Sequence, residues 1–289
     1  MRTILASIIL MAALCARAQA VGEVRFGNEA ADTVRITELI DDCVARNIAS
    51  PEERVAFFAR QFVGTPYAAH TLERTPEMLT VRLDSLDCTT FVETVLALAQ
   101  TAGERRHSWR DFVFNLRRIR YRGGNVDGYG SRLHYNADWA VDNVHRGNLI
   151  DAARNFPRVN YKVMNIDFMS RNRDRYPALA DSAAYARIRE VESGYRNHRF
   201  PYIKTSDLGA KATREAFRSG DAVALVAKAV PGLDCTHMGV VVRGDDGALH
   251  LLHASMSGGK VVLDPRPLDE TMRKNRQWIG MRVFRLAQQ

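Results

Sequence analysis

Residues 86–93 read Leu-Asp-Cys-Thr-Thr-Phe-Val-Glu, and the interpretation of the rest of the chain depends on this stretch. Asp87 has the side chain of a good helix N-cap, and the apolar residues after it are spaced as on a helix with one buried face. Cys88 is therefore predicted in the first turn, where unpaired backbone N–H groups and the helix dipole stabilise a thiolate. A nucleophile is one interpretation; a buried structural thiol or half of a disulfide is the other.

The first 20 residues have the pattern of a secretory signal. Arg2 precedes an apolar run, and residues 18–20 read Ala-Gln-Ala, a small-x-small cleavage site. We expect this segment to be removed, leaving residues 21–289 as one catalytic domain with an elaboration at about residues 101–200. The apolar run is too short to cross a bilayer, so we expect an exported, periplasmic protein without an integral membrane segment.

Removal of the signal would also remove Cys15 and leave Cys43, Cys88 and Cys235. An odd number of cysteines in an exported protein predicts that at least one thiol is free or intermolecular. This count agrees with a catalytic cysteine without saying which one it is, and the pairing of Cys43 and Cys235 stays open.

The chain is basic, with 41 Lys and Arg against 33 Asp and Glu and a formal net charge of +8. Loss of Arg2 and Arg17 with the signal would leave +6. The excess is dispersed and rich in arginine rather than gathered in a lysine tract, so we predict no nucleic-acid partner. An anionic ligand is favoured only weakly over an ordinary solvated surface.

The pattern along the chain changes from helical to β-rich. Helical spacing covers residues 32–62 and 107–121, whereas residues 131–200 are expected to form loops and short helices without strand periodicity. Short β-rich runs separated by turn residues follow, at residues 221–227, 237–243, 248–254, 260–263 and 278–286. Helices followed by an antiparallel sheet indicate an α+β domain.

Two of the eight histidines are placed to serve Cys88. His237 begins one β run and His253 ends the next, and the turn at residues 244–247 makes the two strands antiparallel, which brings the histidines side by side. We assign Cys88 as nucleophile, His237 as general base and then acid, and His253 as the residue that orients the imidazole of His237. The alternative is a pair of structural histidines.

Cys235 lies two residues before His237, and alternation along a strand would point both side chains the same way. Cys235 is then either a wall of the site or the partner of Cys88 in an inactivating disulfide. A metal site of Cys88, Cys235, His237 and His253 is also conceivable, although no closely spaced ligand pair supports it.

Four features, in this order, resemble the NlpC-type cell-wall cysteine peptidases, which are papain-like. They are Gly64-Thr65-Pro66-Tyr67, Asp87-Cys88 at a helix start, His237-Met238-Gly239-Val240 at a strand start, and His253 one strand later. The resemblance covers roughly residues 50–100 and 200–285. It implies a papain-like α+β fold in which N-terminal helices carrying the cysteine pack on a C-terminal antiparallel sheet or half-barrel, with a large central insertion.

The chain departs from the usual pattern of these peptidases in two ways: it has Thr89-Thr90 where most members have Ser-Gly, and it has a long middle section. Both departures match one branch, the N-acetylmuramoyl-L-alanine amidase-like proteins. That branch is similar at Tyr121-Arg122, Asp127-Gly128-Tyr129, Ser131-Arg132-Leu133-His134-Tyr135, Asp138-Trp139, Asn165, Phe168-Met169-Ser170 and Gly232-Leu233-Asp234. The resemblance implies hydrolysis of the amide between the lactyl group of N-acetylmuramic acid and L-alanine in muropeptides, reducing or anhydro. We expect a monomer that requires no metal or organic cofactor.

The candidate substrate contacts are Tyr67, Asp87, Arg132, Tyr135 and Asp138. Arg132 and Tyr135 can bind carboxylate, amide or sugar groups, and Asp138 can accept from an amine or hydroxyl. The resemblance implies that Tyr67 lies close to the nucleophile. Three rival functions stay open: a γ-D-glutamyl endopeptidase of the stem peptide, a non-catalytic peptidoglycan-binding protein, and a zinc hydrolase.

Overall fold

The computed structural model describes residues 24–288, so the predicted signal at residues 1–20 lies outside the described residues. The helices are α1 Glu29–Ala45, α2 Pro51–Gln61, α3 Cys88–Gly103, α4 Trp109–Arg120, α5 Asn136–His145, α6 Phe168–Arg171, α7 Ser182–Ser193, α8 Lys211–Ala216 and α9 Leu268–Lys274. The strands are β1 Val24–Phe26, β2 Leu79–Val81, β3 Leu149–Asp151, β4 Val159–Met164, β5 His198–Lys204, β6 Asp221–Ala227, β7 Cys235–Arg243, β8 Leu249–Ser255, β9 Lys260–Leu263 and β10 Trp278–Leu286. Within this range, no helix has the length and apolarity that crossing a membrane requires.

The larger sheet is antiparallel throughout and runs in the order β4-β5-β10-β6-β7-β8-β9, with β3 also paired to β10. Its central strand β6 is buried along its whole length, which agrees with its apolar run of residues. Helices α1–α4 share one core with one face of β6, β7 and β8, and α9 packs against the opposite face. The predicted α+β architecture with an antiparallel sheet is confirmed.

Helix α3 carries Cys88 and is buried almost all round, not on one face as its apolar spacing predicted. Thirteen of its 16 residues are buried, Glu93 and Thr101 among them. Their polar groups are satisfied inside the protein, since the Glu93 carboxylate lies 2.6 Å from Arg120 Nε and the Thr101 hydroxyl donates to the Ala97 carbonyl oxygen. A buried polar side chain is tolerated when it is paired in this way.

The middle section contributes strands to the main sheet, so the prediction of loops and short helices there was wrong. Strands β3, β4 and β5 lie within or begin within it. Strand β4 was missed because its alternation is inverted: Tyr161 and Val163 face solvent, whereas Lys162 lies across the sheet and donates to the Ala227 carbonyl oxygen. The usual apolar-inside pattern is therefore absent from this strand.

Candidate active site

Asp87 caps helix α3 and so fixes the place of Cys88. Its Oδ1 accepts from the backbone N–H groups of Thr89 at 3.0 Å and Thr90 at 2.8 Å, and the Thr90 hydroxyl accepts from the Asp87 backbone N–H at 2.9 Å. This reciprocal capping satisfies donors that a helix start leaves unpaired. Cys88 is consequently the first residue of the helix, in the first turn as predicted.

The segment around Tyr67 is held between strand β9 and the residue before the cap. The Gly64 N–H donates to the Val261 carbonyl oxygen at 2.9 Å, and the Leu86 N–H donates to the Pro66 carbonyl oxygen at 3.0 Å. Burial raises the pKa of the Tyr67 phenol, and negative charge at Cys88 would raise it further. Tyr67 thus lies within electrostatic reach of Cys88.

The two histidines of strands β7 and β8 meet directly. His237 Nε2 and His253 Nδ1 are 2.7 Å apart, and the rings are nearly perpendicular at 89°. Gly239 permits this close approach of the strands, because a Cβ there would lie 2.9 Å from the Leu252 carbonyl oxygen. With Nε2 of His237 engaged, Nδ1 is the nitrogen left to exchange a proton with another group.

Cys88 and His237 line one pocket of about 110 Å³, which has room for an amide and its nearest substituents. Its remaining lining is Thr89, Leu133, His134, Tyr135, Asn136, Trp139, Cys235, Thr236 and Met238. The residues from Leu133 to Trp139 belong to the middle section, so this elaboration forms one wall of the pocket. His134, Asn136 and Trp139 were missed as site residues, although Asn136 and Trp139 are three apart on α5 and share a face.

Burial controls the charge state of the pair. It raises the pKa of the Cys88 thiol to about 11, with Asp87 adding to the effect and the Met238 N–H opposing it. Burial also lowers the pKa of His237 to about 3, and His253 adds to this shift. Burial therefore favours a thiol and a neutral imidazole, which opposes the stabilisation of a thiolate by the helix start, and the predicted thiolate stays a prediction.

Arg132 is not among the residues that line this pocket, and it is 6 % exposed. Its guanidinium lies 2.8 Å from Glu73 and 3.3 Å from Glu77. These ion pairs tie the middle section to the loop that follows Tyr67 and give Arg132 a scaffold role, while its contact with substrate stays a prediction. Asp87 is likewise accounted for by its cap, since its Oδ1 accepts from three donors.

Asp138 and Tyr135 also use their polar atoms internally. Arg122 donates to both carboxylate oxygens of Asp138 at 2.6 Å, and the Tyr135 hydroxyl donates to Glu192 at 2.7 Å while accepting from the Met169 N–H at 2.6 Å. Tyr135 still lines the pocket through other atoms. Asp138 and the Tyr135 hydroxyl therefore support the scaffold, and their contact with substrate stays a prediction.

A β-bulge separates Cys235 from His237. On strand β6, Leu225 is opposite His237 and the next residue, Val226, is opposite Cys235, which leaves Thr236 as the extra residue. Simple alternation, on which the prediction for Cys235 rested, therefore does not hold, although Cys235 does line the pocket. Its thiol is free and donates to Asn136 Oδ1 at 3.6 Å.

Cys43 and Cys88 are free thiols as well. Cys43 is buried in the helical part of the core, where desolvation raises the pKa of its thiol to about 11. In the part of the chain that the structure describes, no group of three or more His, Cys, Asp or Glu residues is arranged to hold a metal ion.

Comparison with protein families gives one match, over residues 57–281, to the AmiA-like family described as N-acetylmuramoyl-L-alanine amidase-like. A search of curated proteins gives no significant match. Among solved structures, an N-acetylmuramoyl-L-alanine amidase from Bacteroides uniformis is 35% identical with a TM-score of 0.76, and the alignment covers 82% of this chain and 99% of that one.

Two other solved structures are similar. One, described as a putative xylanase from Bacteroides fragilis, is 36% identical over 79% of this chain and 99% of that one, with a TM-score of 0.73. A Legionella pneumophila protein is 23% identical over 90% of this chain and 97% of that one, with a TM-score of 0.68, and shares the fold. The family match spans most of the chain and includes Cys88, His237 and His253. The chain belongs to the N-acetylmuramoyl-L-alanine amidase-like family.

Proposed function

We propose that the protein is a cysteine amidase of peptidoglycan, which hydrolyses the amide between the lactyl group of N-acetylmuramic acid and L-alanine in muropeptides. The observation that carries the proposal is the His237–His253 contact of 2.7 Å at a pocket that Cys88 also lines. A nucleophile, a base and a residue that orients the base form the minimal machinery of acyl transfer. The family of the chain supplies the bond type.

The first half of the reaction forms a thioester. His237 takes the thiol proton as Cys88 Sγ attacks the amide carbon, and the backbone N–H of Cys88 at the start of α3 helps to stabilise the oxyanion. Protonated His237 then donates to the leaving amine of L-alanine as the C–N bond breaks. Because burial favours a neutral pair, this proton transfer accompanies the attack.

The second half regenerates the enzyme. His237 takes a proton from water, which attacks the thioester carbon, and the C–S bond breaks. The lactyl carboxylic acid leaves, and the proton returns to Cys88. His253 keeps Nε2 of His237 engaged throughout, so that the same ring nitrogen, Nδ1, gives and takes each proton.

The middle section favours a bulky substrate that extends beyond the reacting bond. The pocket itself is small, and its lining includes the apolar and aromatic residues Leu133, Tyr135 and Trp139, each exposed by 4% or less. Such surfaces bind the apolar faces of sugar rings and short peptide side chains. We propose that this wall selects the muramyl side of the bond.

Two alternative activities are considered for the same pocket. A γ-D-glutamyl endopeptidase would use the same residues on a bond further along the stem peptide. Cleavage of a glycosidic bond, which the xylanase description of one similar structure raises, normally needs two carboxylates flanking the bond. Among the described residues, the lining of the pocket includes no Asp or Glu.

We further propose that residues 21–289 form one monomeric catalytic domain, exported to the periplasm after cleavage near Ala20. The support is the signal pattern of the sequence. N-terminal mass analysis of the protein isolated from a periplasmic fraction tests the cleavage point. A mature mass that still includes residues 1–20 would contradict it.

The decisive experiment is mass spectrometry of N-acetylmuramyl-L-alanyl-γ-D-glutamyl peptides, reducing and anhydro, after incubation with purified protein. Release of the intact L-alanyl peptide is expected, with or without a chelator. Cleavage after D-glutamate would make the protein an endopeptidase, and loss of activity with a chelator but not with iodoacetamide would indicate a zinc hydrolase. No cleavage of any muropeptide under reducing conditions would favour the binding protein, and a rise in reducing ends on xylan would favour glycosidase activity.

A further inference from the structure

The indole of Trp278 stacks on the ring of His237 in a parallel, offset arrangement. The two rings are 10° from parallel with their centroids 5.6 Å apart, and Trp278 Nε1 donates to the Thr236 hydroxyl at 3.1 Å. His253 meets the same imidazole edge-on. His237 is thereby held on two sides, by a hydrogen bond in the plane of its ring and by an aromatic surface against its face.

Two β-bulges make this contact possible. Strand β6 lies between β7 and β10, and the bulge at Thr236 on β7 is matched by one on β10, where Trp278 is opposite Ala227 and Gly280 is opposite Val226. A bulge adds one residue and redirects the side chains beside it. Trp278 can therefore reach past the end of β6 to His237.

The backbone of β10 is adapted to this arrangement. A Cβ on Gly280 would lie 2.1 Å from the Ile203 carbonyl oxygen of β5, so only glycine fits immediately after the bulge. The two β-bulges cost hydrogen bonds between neighbouring strands, which indicates that they serve to place a particular side chain. The residue whose position it determines is Trp278.

We propose that Trp278 is a positioning residue for His237, which fixes the plane of the imidazole and shields it from water without contacting the substrate. This inference rests on the proposed function, in which His237 is the general base. Trp278 does not line the pocket that contains Cys88, so its effect on the reaction passes through His237. It should therefore act on the chemical step more than on substrate binding.

The effect of Trp278 on His237 can be measured through the pKa of the His237 imidazole. The titratable groups that share its pocket or contact its ring are Cys88 on α3, Cys235 on its own strand, His134 and Tyr135 before α5, and His253 on β8. Trp278 adds no charge, and burial is the main cause that lowers the pKa of His237. Removing the indole should thus raise this pKa by admitting water, without changing any neighbouring charge.

Four variants separate stacking, hydrogen bonding and general damage. Trp278→Leu removes the aromatic ring. Trp278→Phe keeps an aromatic ring at position 278 but cannot donate to the Thr236 hydroxyl, and Thr236→Val keeps the indole and removes the acceptor of the same hydrogen bond. Trp109→Leu is the matched control, because Trp109 is a half-buried tryptophan on α4 that packs edge-on against Phe26. Each variant is characterised by kcat and KM on the muropeptide and by NMR titration of the His237 ring.

For Trp278→Leu we expect kcat to fall about tenfold while KM stays within about twofold of the parent. The loss is smaller than the ~10²–10⁴-fold rate increase that general acid–base catalysis supplies, because His237 remains present. The His237 ring should begin to titrate between about pH 5 and 8, where the parent ring stays neutral. Trp278→Phe should recover most of kcat. Because Thr236 lines the pocket, Thr236→Val is compared by the His237 titration alone, which should match that of Trp278→Phe.

The proposal is overturned if Trp278→Leu leaves the His237 titration unchanged, or if its kcat falls no further than that of Trp109→Leu. A parent protein without amidase activity would refute the proposed function alone, since the NMR titration still reports whether Trp278 controls His237. The two failures are therefore distinguishable.

Discussion

Replacement of Asp87 separates two effects that this residue has on Cys88. Its Oδ1 caps helix α3, and its charge raises the pKa of the Cys88 thiol. Asp87→Asn keeps the Oδ1 acceptor and removes the charge, whereas Asp87→Ala removes both. The pair of variants therefore tests whether Asp87 is needed as a cap, as a charge, or as a contact for substrate.

The magnitudes follow from the geometry. Loss of an N-cap costs about 0.5–2 kcal/mol, and the upper half of that range applies because Oδ1 accepts from three donors, the third being the Thr90 hydroxyl at 2.9 Å. For a chain of this size each kcal/mol shifts Tm by about 2–4 °C, so Asp87→Ala should melt about 2–8 °C lower. Asp87→Asn should melt close to the parent.

Both variants should make Cys88 more reactive. Removing a negative charge beside the thiol lowers its pKa, so more thiolate is present at any pH below that pKa. Alkylation by iodoacetamide, measured by mass spectrometry of the peptide containing Cys88, should therefore become faster from pH 7 to 9. A threefold increase corresponds to about 0.65 kcal/mol and is readily measured.

Two results would refute this reasoning. An equal loss of Tm in both variants would mean that the charge, and not the acceptor, stabilises the helix. An alkylation rate unchanged by Asp87→Asn, together with a large rise in KM, would return Asp87 to the role of substrate contact that the sequence suggested.

Three further predictions concern stability, pH and the second thiol of the pocket. Arg120→Met should lower the free energy of unfolding by about 3–5 kcal/mol in urea titrations, because it leaves the buried Glu93 carboxylate unpaired, and adding Glu93→Gln should restore part of the loss. Because burial holds the pKa of His237 near 3, its imidazole stays neutral and kcat/KM should persist from pH 7 down to 5; an acid limb near 6.5 would contradict this. Cys235→Ala should retain turnover within about threefold, since burial raises the pKa of the Cys235 thiol and keeps it unreactive. If an oxidant inactivates the parent but not Cys235→Ala, and a reductant reverses the loss, a disulfide between Cys235 and Cys88 would be favoured instead.

The parts of the site that the sequence predicted are those set by local rules. Asp87 before Cys88 is a matter of helix capping, and the meeting of His237 with His253 follows from two short strands joined by a turn. Both depend on residues close together in the chain. Local chemistry of this kind is visible without knowledge of tertiary packing.

The parts that the sequence did not predict depend on distant packing. Trp278 meets His237 from a strand that lies about 40 residues further along the chain, and this contact leaves no periodic signal. The bulge at Thr236 lies between the consecutive strands β6 and β7, but it interrupts the alternation of side chains on which the sequence prediction relied. The internal partners of Arg132 and Asp138 come from other segments of the chain, so their residue types alone suggested ligand binding. A sequence shows that a side chain is charged but does not show whether it binds substrate or pairs with another residue of the protein.

The most direct test of the account is the turnover of Cys88→Ala on N-acetylmuramyl-L-alanyl-γ-D-glutamyl peptide under reducing conditions, with Cys43→Ala as the matched control. If Cys88 is the nucleophile, we expect no product above the buffer blank for Cys88→Ala and a rate within about threefold of the parent for Cys43→Ala, whose thiol lies in the core. Release of the L-alanyl peptide by Cys88→Ala at a rate within about tenfold of the parent would contradict a nucleophilic role for Cys88.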